Sequence, residues 1–277
     1  MSLRCGRIGY TNDLPIYAAF DEGAVPHSGT LHADTPAMLN AMMRRGDLDA
    51  GPISAFAYAA EPQRYALLPE ICIGARSEAC SVVLVSPTAP ALLEGARIAI
   101  TEESATARKL LRILLERRYA VRAHYIDDRD ALRAAENGQP ALLIGDTAID
   151  AIFKLDPATV YDLGTLWHEW TGEDSIFAVW AARREIYESD PGAVQAYVQT
   201  LREAYAWGQA NMPRVVALAQ RSRSRPAGFY ESYYAKLNFS FDANAQAALE
   251  TFCGQLLAIG AIASIPSVTP EAVLAPS

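Results

Sequence analysis

The chain repeats its own grammar, and no other feature limits its fold as much. Arg7-Ile8-Gly9-Tyr10-Thr11-Asn12 opens one unit with a basic residue, a short apolar run and small polar residues, and Arg97-Ile98-Ala99-Ile100-Thr101-Glu102 opens another in the same way. In the first unit His32-Ala33-Asp34 leads into a helical pattern from Pro36 to Arg45 that stops at Gly46. The chain then runs through Leu48-Asp49-Ala50-Gly51 to Pro52-Ile53-Ser54. In the second, Tyr125-Ile126-Asp127 leads into a helical pattern that stops at Asn137-Gly138, followed by Ala141-Leu142-Leu143-Ile144 and Gly145-Asp146. Ile98 answers Ile8, Asp127 answers Asp34 and Gly138 answers Gly46, each about 90 residues on. Two alike strand-helix-strand-helix halves predict an α/β fold of two lobes, with a ligand held between the loops at the carboxyl ends of their strands.

At 277 residues the chain reaches the size at which single cores divide, and its 51% hydrophobic content suits a well-buried globular protein. The net charge of -8 argues against nucleic acid as a partner, and no stretch is long and apolar enough to span a bilayer. The one arginine-rich run, Arg221-Ser222-Arg223-Ser224-Arg225-Pro226, reads as a solvated loop. Cys5, Cys72, Cys80 and Cys253 lack the close pairing of metal or redox motifs and are expected to be reduced and mostly buried. Met1-Ser2-Leu3-Arg4 lacks the apolar core of a signal peptide, which favours a cytoplasmic enzyme over an exported binding protein. The sequence leaves a homo-oligomer open.

Two apolar runs mark where the chain changes lobe. Ser81 to Ser86 is bounded by serines and followed by Pro87-Thr88-Ala89-Pro90, which continues neither a strand nor a helix. Ser175 to Ala182 is the matching run on the way back. The expectation is a two-segment hinge, with one lobe formed by residues 1–88 and 178–277 and the other by 89–177. From Pro191 onward the chain reads helical throughout, in patterns over Ala193–Ala210, Pro213–Arg221 and Asn244–Ile259, and should pack on the first lobe.

Polar residues at the ends of the predicted strands are the candidate site. Ile98 to Thr106 runs through small hydroxyl residues into a helical pattern over Ala107 to Arg117. Backbone N–H groups around Ser104, Ala105 and Thr106 would favour an anion there, although Ser104 reads equally as a plain N-cap. Asp146 reads as an N-cap or as a proton-transfer group, and Ser54 is its counterpart in the first unit. Asn12 either closes an Asx-turn or presents its amide to a ligand. His27, His32, His124 and His168 form no metal-ligand pattern. No P-loop, dinucleotide fingerprint or Ser-His-Asp arrangement can be read, so no metal or cofactor is expected.

Several segments together resemble a known family. They are Gly9-Tyr10-Thr11-Asn12-Asp13-Leu14-Pro15, Cys80 to Ser86, Ile144-Gly145-Asp146, Tyr161-Asp162-Leu163-Gly164 with Trp167, and Thr171-Gly172 leading to Phe177-Ala178-Val179-Trp180. In order and spacing they resemble the chorismate dehydratase family of the futalosine route to menaquinone, over about residues 5 to 182 and more loosely to the end. The resemblance implies a fold similar to the type 2 periplasmic binding proteins. It also implies a cofactor-free hydro-lyase reaction in which chorismate loses water to give 3-(1-carboxyvinyloxy)benzoate. Asn12 and Ser81 match the family's active-site positions, and Ser54, the Ser104 to Thr106 turn and Asp146 would hold the substrate. The base is then either the substrate's own enolpyruvyl carboxylate or Asp146.

This chain departs from the family pattern at Glu173-Asp174-Ser175, after the Thr-Gly, and at Ala107, where a serine is usual. Both departures are expected to alter loop contacts to substrate. Two other readings fit the same fold: a small-molecule solute-binding protein, and the later-step synthase that forms 1,4-dihydroxy-6-naphthoate. No histidine here lies in a motif matching that synthase.

Overall fold

The computed structural model describes residues 2–27, 29–102 and 105–271. Its strands in chain order are β1 (Arg4–Ile8), β2 (Thr30–Asp34), β3 (Ala50–Ser54), β4 (Tyr65–Ala75), β5 (Val82–Val85), β6 (Arg97–Ile100), β7 (His124–Asp127), β8 (Ala141–Ile144), β9 (Val160–Asp162), β10 (Ser175–Arg183) and β11 (Leu237–Phe241). The helices are α1 (Leu14–Asp21), α2 (Pro36–Arg45), α3 (Ala55–Ala60), α4 (Ala105–Ile113), α5 (Ala131–Glu136), α6 (Gly145–Lys154), α7 (Leu163–Thr171), α8 (Arg184–Ser189), α9 (Pro191–Ala210), α10 (Met212–Ser222), α11 (Phe229–Lys236) and α12 (Ala243–Ala258).

The duplication is visible in the pairing. One sheet has the order β11-β4-β10-β3-β1-β2 and the other β7-β6-β8-β5-β9. In each, the central strand of a parallel trio (β2-β1-β3, β7-β6-β8) is the first strand of its unit. Next comes an antiparallel strand, β10 or β5, and then a strand antiparallel to that one, β4 or β9. The order reverses at β1 and at β6, so each sheet has its crevice outside the carboxyl ends of these strands.

Both crossings lie upstream of where the apolar runs alone suggest. Val82 pairs with Ile144, so β5 belongs to the second sheet and the chain crosses at 76–81; it returns at 172–174, ahead of β10. A buried apolar strand reads the same whichever sheet receives it. The first crossing is pinned by the Asp162 carboxylate, which accepts from the N–H groups of Ala79 (3.0 Å) and Cys80 (2.7 Å). At the second, the Trp167 indole N–H donates to Asp174 O at 3.0 Å, and Asn238 Nδ2 donates to the Asp174 carboxylate at 3.4 Å. The Glu173-Asp174 departure therefore sits in the hinge, away from the cavity described below.

The helix ends are capped by local chemistry. Pro36 starts α2 after Thr35, whose hydroxyl accepts from Met38 N, and Gly46 ends it at φ 85°. The carboxyl-terminal part is not helical throughout: Leu237–Phe241 forms β11 on the edge of the first sheet, antiparallel to β4. Its helices do return to the first lobe, α9 and α10 against α1 and α12 against β10 and β11. Under them the core closes on Tyr17 and Trp180, both fully buried, with ring centroids 6.4 Å apart. No helix among the described residues is long and apolar enough to cross a membrane.

Candidate active site

The polar turns at the ends of β1, β3 and β8 meet where the lobes face each other. Beyond β1 the chain makes a 3-10 turn, Thr11–Asp13, and enters α1; β3 passes directly into α3 at Ser54, and β8 into α6 at Gly145. Together with Ser81 at the first crossing they line a small cavity of about 50 Å³. Its polar wall is Tyr10, Asn12, Ser54 and Ser81, and its apolar wall includes Ile8, Ile73, Ile144, Phe177 and Leu237. No Asp, Glu, Lys, Arg or His lines it among the described residues.

Asn12 carries the one orphan atom of this wall. Its Oδ1 is buried and has no hydrogen-bond partner, so the Asx-turn does not form and the carbonyl is left for a donor from a ligand. The Ser81 hydroxyl, buried, donates to Ala79 O at 3.3 Å, and Ser81 O accepts from Gly145 N at 2.8 Å. Ser54 is the N-cap of α3, its Oγ accepting from Ala57 N (3.1 Å) and from Asn40 Nδ2 (3.2 Å). With both lone pairs engaged, the Ser54 O–H is left to donate.

Asp146 is not the N-cap that was one of its two expected roles: its helix has no side-chain cap, and it points to the other lobe. Its Oδ1 accepts from the Thr11 hydroxyl at 2.6 Å and its Oδ2 from Thr11 N at 3.2 Å, while the Tyr234 hydroxyl donates to Thr11 O at 2.9 Å. Thr11 thus joins the lobes directly beside Asn12. At the same edge the Tyr10 ring lies on Gly145 (φ 60°), where an added Cβ would sit 2.9 Å from the ring and only glycine fits.

The arginine-rich run is exposed over residues 221–224, as expected of a solvated segment, but not at Arg225. Arg225, 6% exposed, pairs with Asp150 on α6 and donates to Asp146 O at 3.2 Å, and Arg223 reaches the other oxygen of Asp150 at 2.9 Å. Asp13, beneath the Asn12 turn, is buried against Arg7 (3.2 Å); burial pushes its carboxyl up to about 8, against the pull of the Arg7 charge. The signals for Thr11 and Arg225 were absent from the sequence, because their partners lie far along the chain.

On the opposite edge of the cleft, Thr106 Oγ1 accepts from Phe56 N at 3.1 Å, again joining the lobes. Ala105 begins α4 and lines a groove outside the cavity, and Ser104 lies outside the described residues. Asn12, Ser54, Ser81 and the Gly145-Asp146 turn therefore come together, with Thr106 engaged at their margin. Cys5, Cys72, Cys80 and Cys253 are all buried and unbridged. Among the described residues no three His, Cys, Asp or Glu side chains gather in a way that could hold a metal ion.

Comparison with known proteins agrees with this architecture. The fold is shared with the periplasmic aliphatic sulphonate binding protein of Escherichia coli, 17% identical with a TM-score of 0.66 over 96% of this chain and 95% of that one. It is shared as well with an alkanesulfonate-binding protein of Xanthomonas axonopodis pv. citri, 16% identical with a TM-score of 0.67 over 96% of each chain. At such identities the likeness concerns the fold alone. In sequence the chain is similar to the chorismate dehydratase of Thermus thermophilus, 35% identical over 213 residues, which are 70% of this chain and 73% of that protein. A family model described as menaquinone biosynthesis matches residues 3–257, and the chain belongs to that family.

Proposed function

We propose that the chain is a hydro-lyase acting on chorismate, removing the ring hydroxyl and a ring proton as water so that the ring becomes aromatic. The observation that carries the mechanism is a cavity whose polar groups are neutral, with the buried Asn12 carbonyl unpartnered among them. Aromatisation supplies the driving force, so the protein's work is alignment of the departing groups in a water-poor space. Asn12 Oδ1 accepts from the ring hydroxyl and fixes its direction. Ser81 and Ser54 supply hydroxyl contacts from the facing walls. Asp146 does not line the cavity and both of its oxygens already accept from Thr11, which speaks against it as the group that meets the ring proton. The substrate's enolpyruvyl carboxylate is left to take the ring proton and to pass it to the departing hydroxyl, so that the C–H and C–O bonds broken end as one water molecule and the carboxylate is regenerated. A cytoplasmic site of action belongs to this reading and is supported by the four unbridged cysteines.

Incubation with chorismate should produce a new aromatic absorbance without any added metal or nucleotide; its absence would leave a solute-binding role in front. Asn12→Ala and Ser81→Ala should stay folded yet lose turnover, by roughly 2.7–4 kcal/mol of barrier if each group matters as much as an oxyanion-hole donor. Asp146→Asn should keep most of the rate per closed complex. A near-total loss in an Asp146→Asn variant of parental thermal stability would make Asp146 the base instead.

A further inference from the structure

Outside the cavity a second, larger recess of about 720 Å³ opens between α2 and α3 of one lobe and α4 of the other. Unlike the cavity, it is lined with charge: Arg44, Glu61, Glu102, Arg108, Lys109 and Asp127. Its carboxylates are each answered by an arginine. Glu61 takes Arg44 at 2.9 Å, Asp127 takes Arg108 at 2.5 Å, and Glu102 takes Arg129 at 3.6 Å. Lys109 is the remainder. No carboxylate among the described residues forms an ion pair with it, and its ammonium lies 4.8 Å from the centroid of the Phe56 ring. Its neighbour Arg112 is matched with Glu116 at 2.7 Å.

Lys109 also stands at the boundary between recess and cavity. It is three residues after Thr106 on α4, hence on the same face, and Thr106 holds Phe56 N across the cleft. Asn40 lines the recess and bonds Ser54, which lines the cavity, so the two spaces share this wall. Breaking the Phe56–Thr106 bond as the lobes part would open one space into the other.

We infer that the recess is the entry vestibule for a dianionic substrate and that Lys109 is the group that receives a carboxylate there. The inference rests on the dicarboxylate substrate proposed above. A chain of net charge -8 repels a dianion at long range, and the cavity holds no cation to offset this. One unmatched ammonium at the mouth gives the approach a local sink, and clefts charged in this way raise association rates. The stacked Phe56 ring keeps the ammonium extended over the opening.

The test is steady-state turnover of chorismate by the parent, Lys109→Gln, Lys109→Arg and Lys109→Glu at ionic strengths from low to high. Lys109→Gln should lower kcat/KM about tenfold at low salt, the low end of what steering contributes, and change kcat little. Lys109→Arg should restore most of the loss, and Lys109→Glu should deepen it. Raising the salt should bring the parent toward Lys109→Gln, because the steering charge is screened. Parental kcat/KM in Lys109→Gln at low salt, or a fall in kcat alone, would overturn the role of Lys109. A parent that does not turn over chorismate would instead remove the proposed function.

Discussion

The two edges of the cleft are closed by different chemistry. At the Asn12 edge the lobes are joined by a buried carboxylate bonded twice to Thr11, by the Arg225–Asp150 ion pair and by the Tyr10 ring on Gly145. At the Thr106 edge the lobes meet through the neutral bond to Phe56 N, through Lys109 over the Phe56 ring and through the Arg112 guanidinium donating to Ile259 O at 3.0 Å, with no ion pair across this edge among the described residues and a roughly 720 Å³ recess outside it. Charge-assisted bonds are about twice as strong as neutral ones, and a buried pair cannot be exchanged cheaply for water. The Asn12 edge is thus the more firmly held of the two, and the Asn12 turn is expected to stay in register with Gly145-Asp146 when the lobes move about the hinge.

The largest blow to this asymmetry should come from Arg225→Ala. Removing one partner of a buried pair costs about 3–5 kcal/mol, and here the low end is expected because Arg223 remains on Asp150. Thermal unfolding should show a Tm lower by several degrees, and a parental Tm would mean that the edge is not tied by this pair. A second test uses pH. Burial raises the Asp13 carboxyl to about 8, so between the unfolded value near ~4 and that point the folded chain keeps a proton that the unfolded chain has released. Stability from this source is full below ~4 and is lost as the pH rises through about 8, at no more than about 1.4 kcal/mol per pH unit. Urea unfolding from pH 5 to 9 should slope downward in the parent and more weakly in Asp13→Asn; equal slopes would exclude Asp13 as the source. The smallest effect should be that of Thr106→Val, about 1 kcal/mol or less in stability, since water at the recess can take over Phe56 N. Its signature should be a more open chain in small-angle scattering with the Tm nearly unchanged. A Thr106→Val variant as destabilised as Arg225→Ala would erase the contrast between the edges.

What could be read from the sequence was what is local. Gly46 and Thr35 announce the ends of α2 through their own backbone needs, and the paired units announce two sheets. Strand β11 was hidden because Leu237-Asn238-Phe239-Ser240-Phe241 is short and lies between helices, where its apolar residues pass for a helix face. Likewise Arg225 looks like any arginine in a polar loop until Asp150 is brought to it from the other lobe. By spacing Asn12 leaned toward closing a turn rather than meeting a ligand; the family resemblance singled it out, and the unpartnered Oδ1 gives that choice a physical reason. Asp146 was noticed for its position but its bond to Thr11 was not, since nothing near it in sequence specifies that partner.

The second sheet is drawn from one unbroken stretch, Val82 to Asp162, whereas the first waits for β10, which enters between β3 and β4 after that stretch has ended. On a ribosome the inserted lobe can therefore be finished while the lobe that began first still lacks an inner strand. Nascent β3 and β4 would have unpaired facing edges for as long as it takes to make the intervening residues, and exposed edges of this kind invite misassembly. The inserted lobe is thus completed before the one that began first, and β10 is the strand that fills the gap inside the first sheet, with β11 still to be added at its edge.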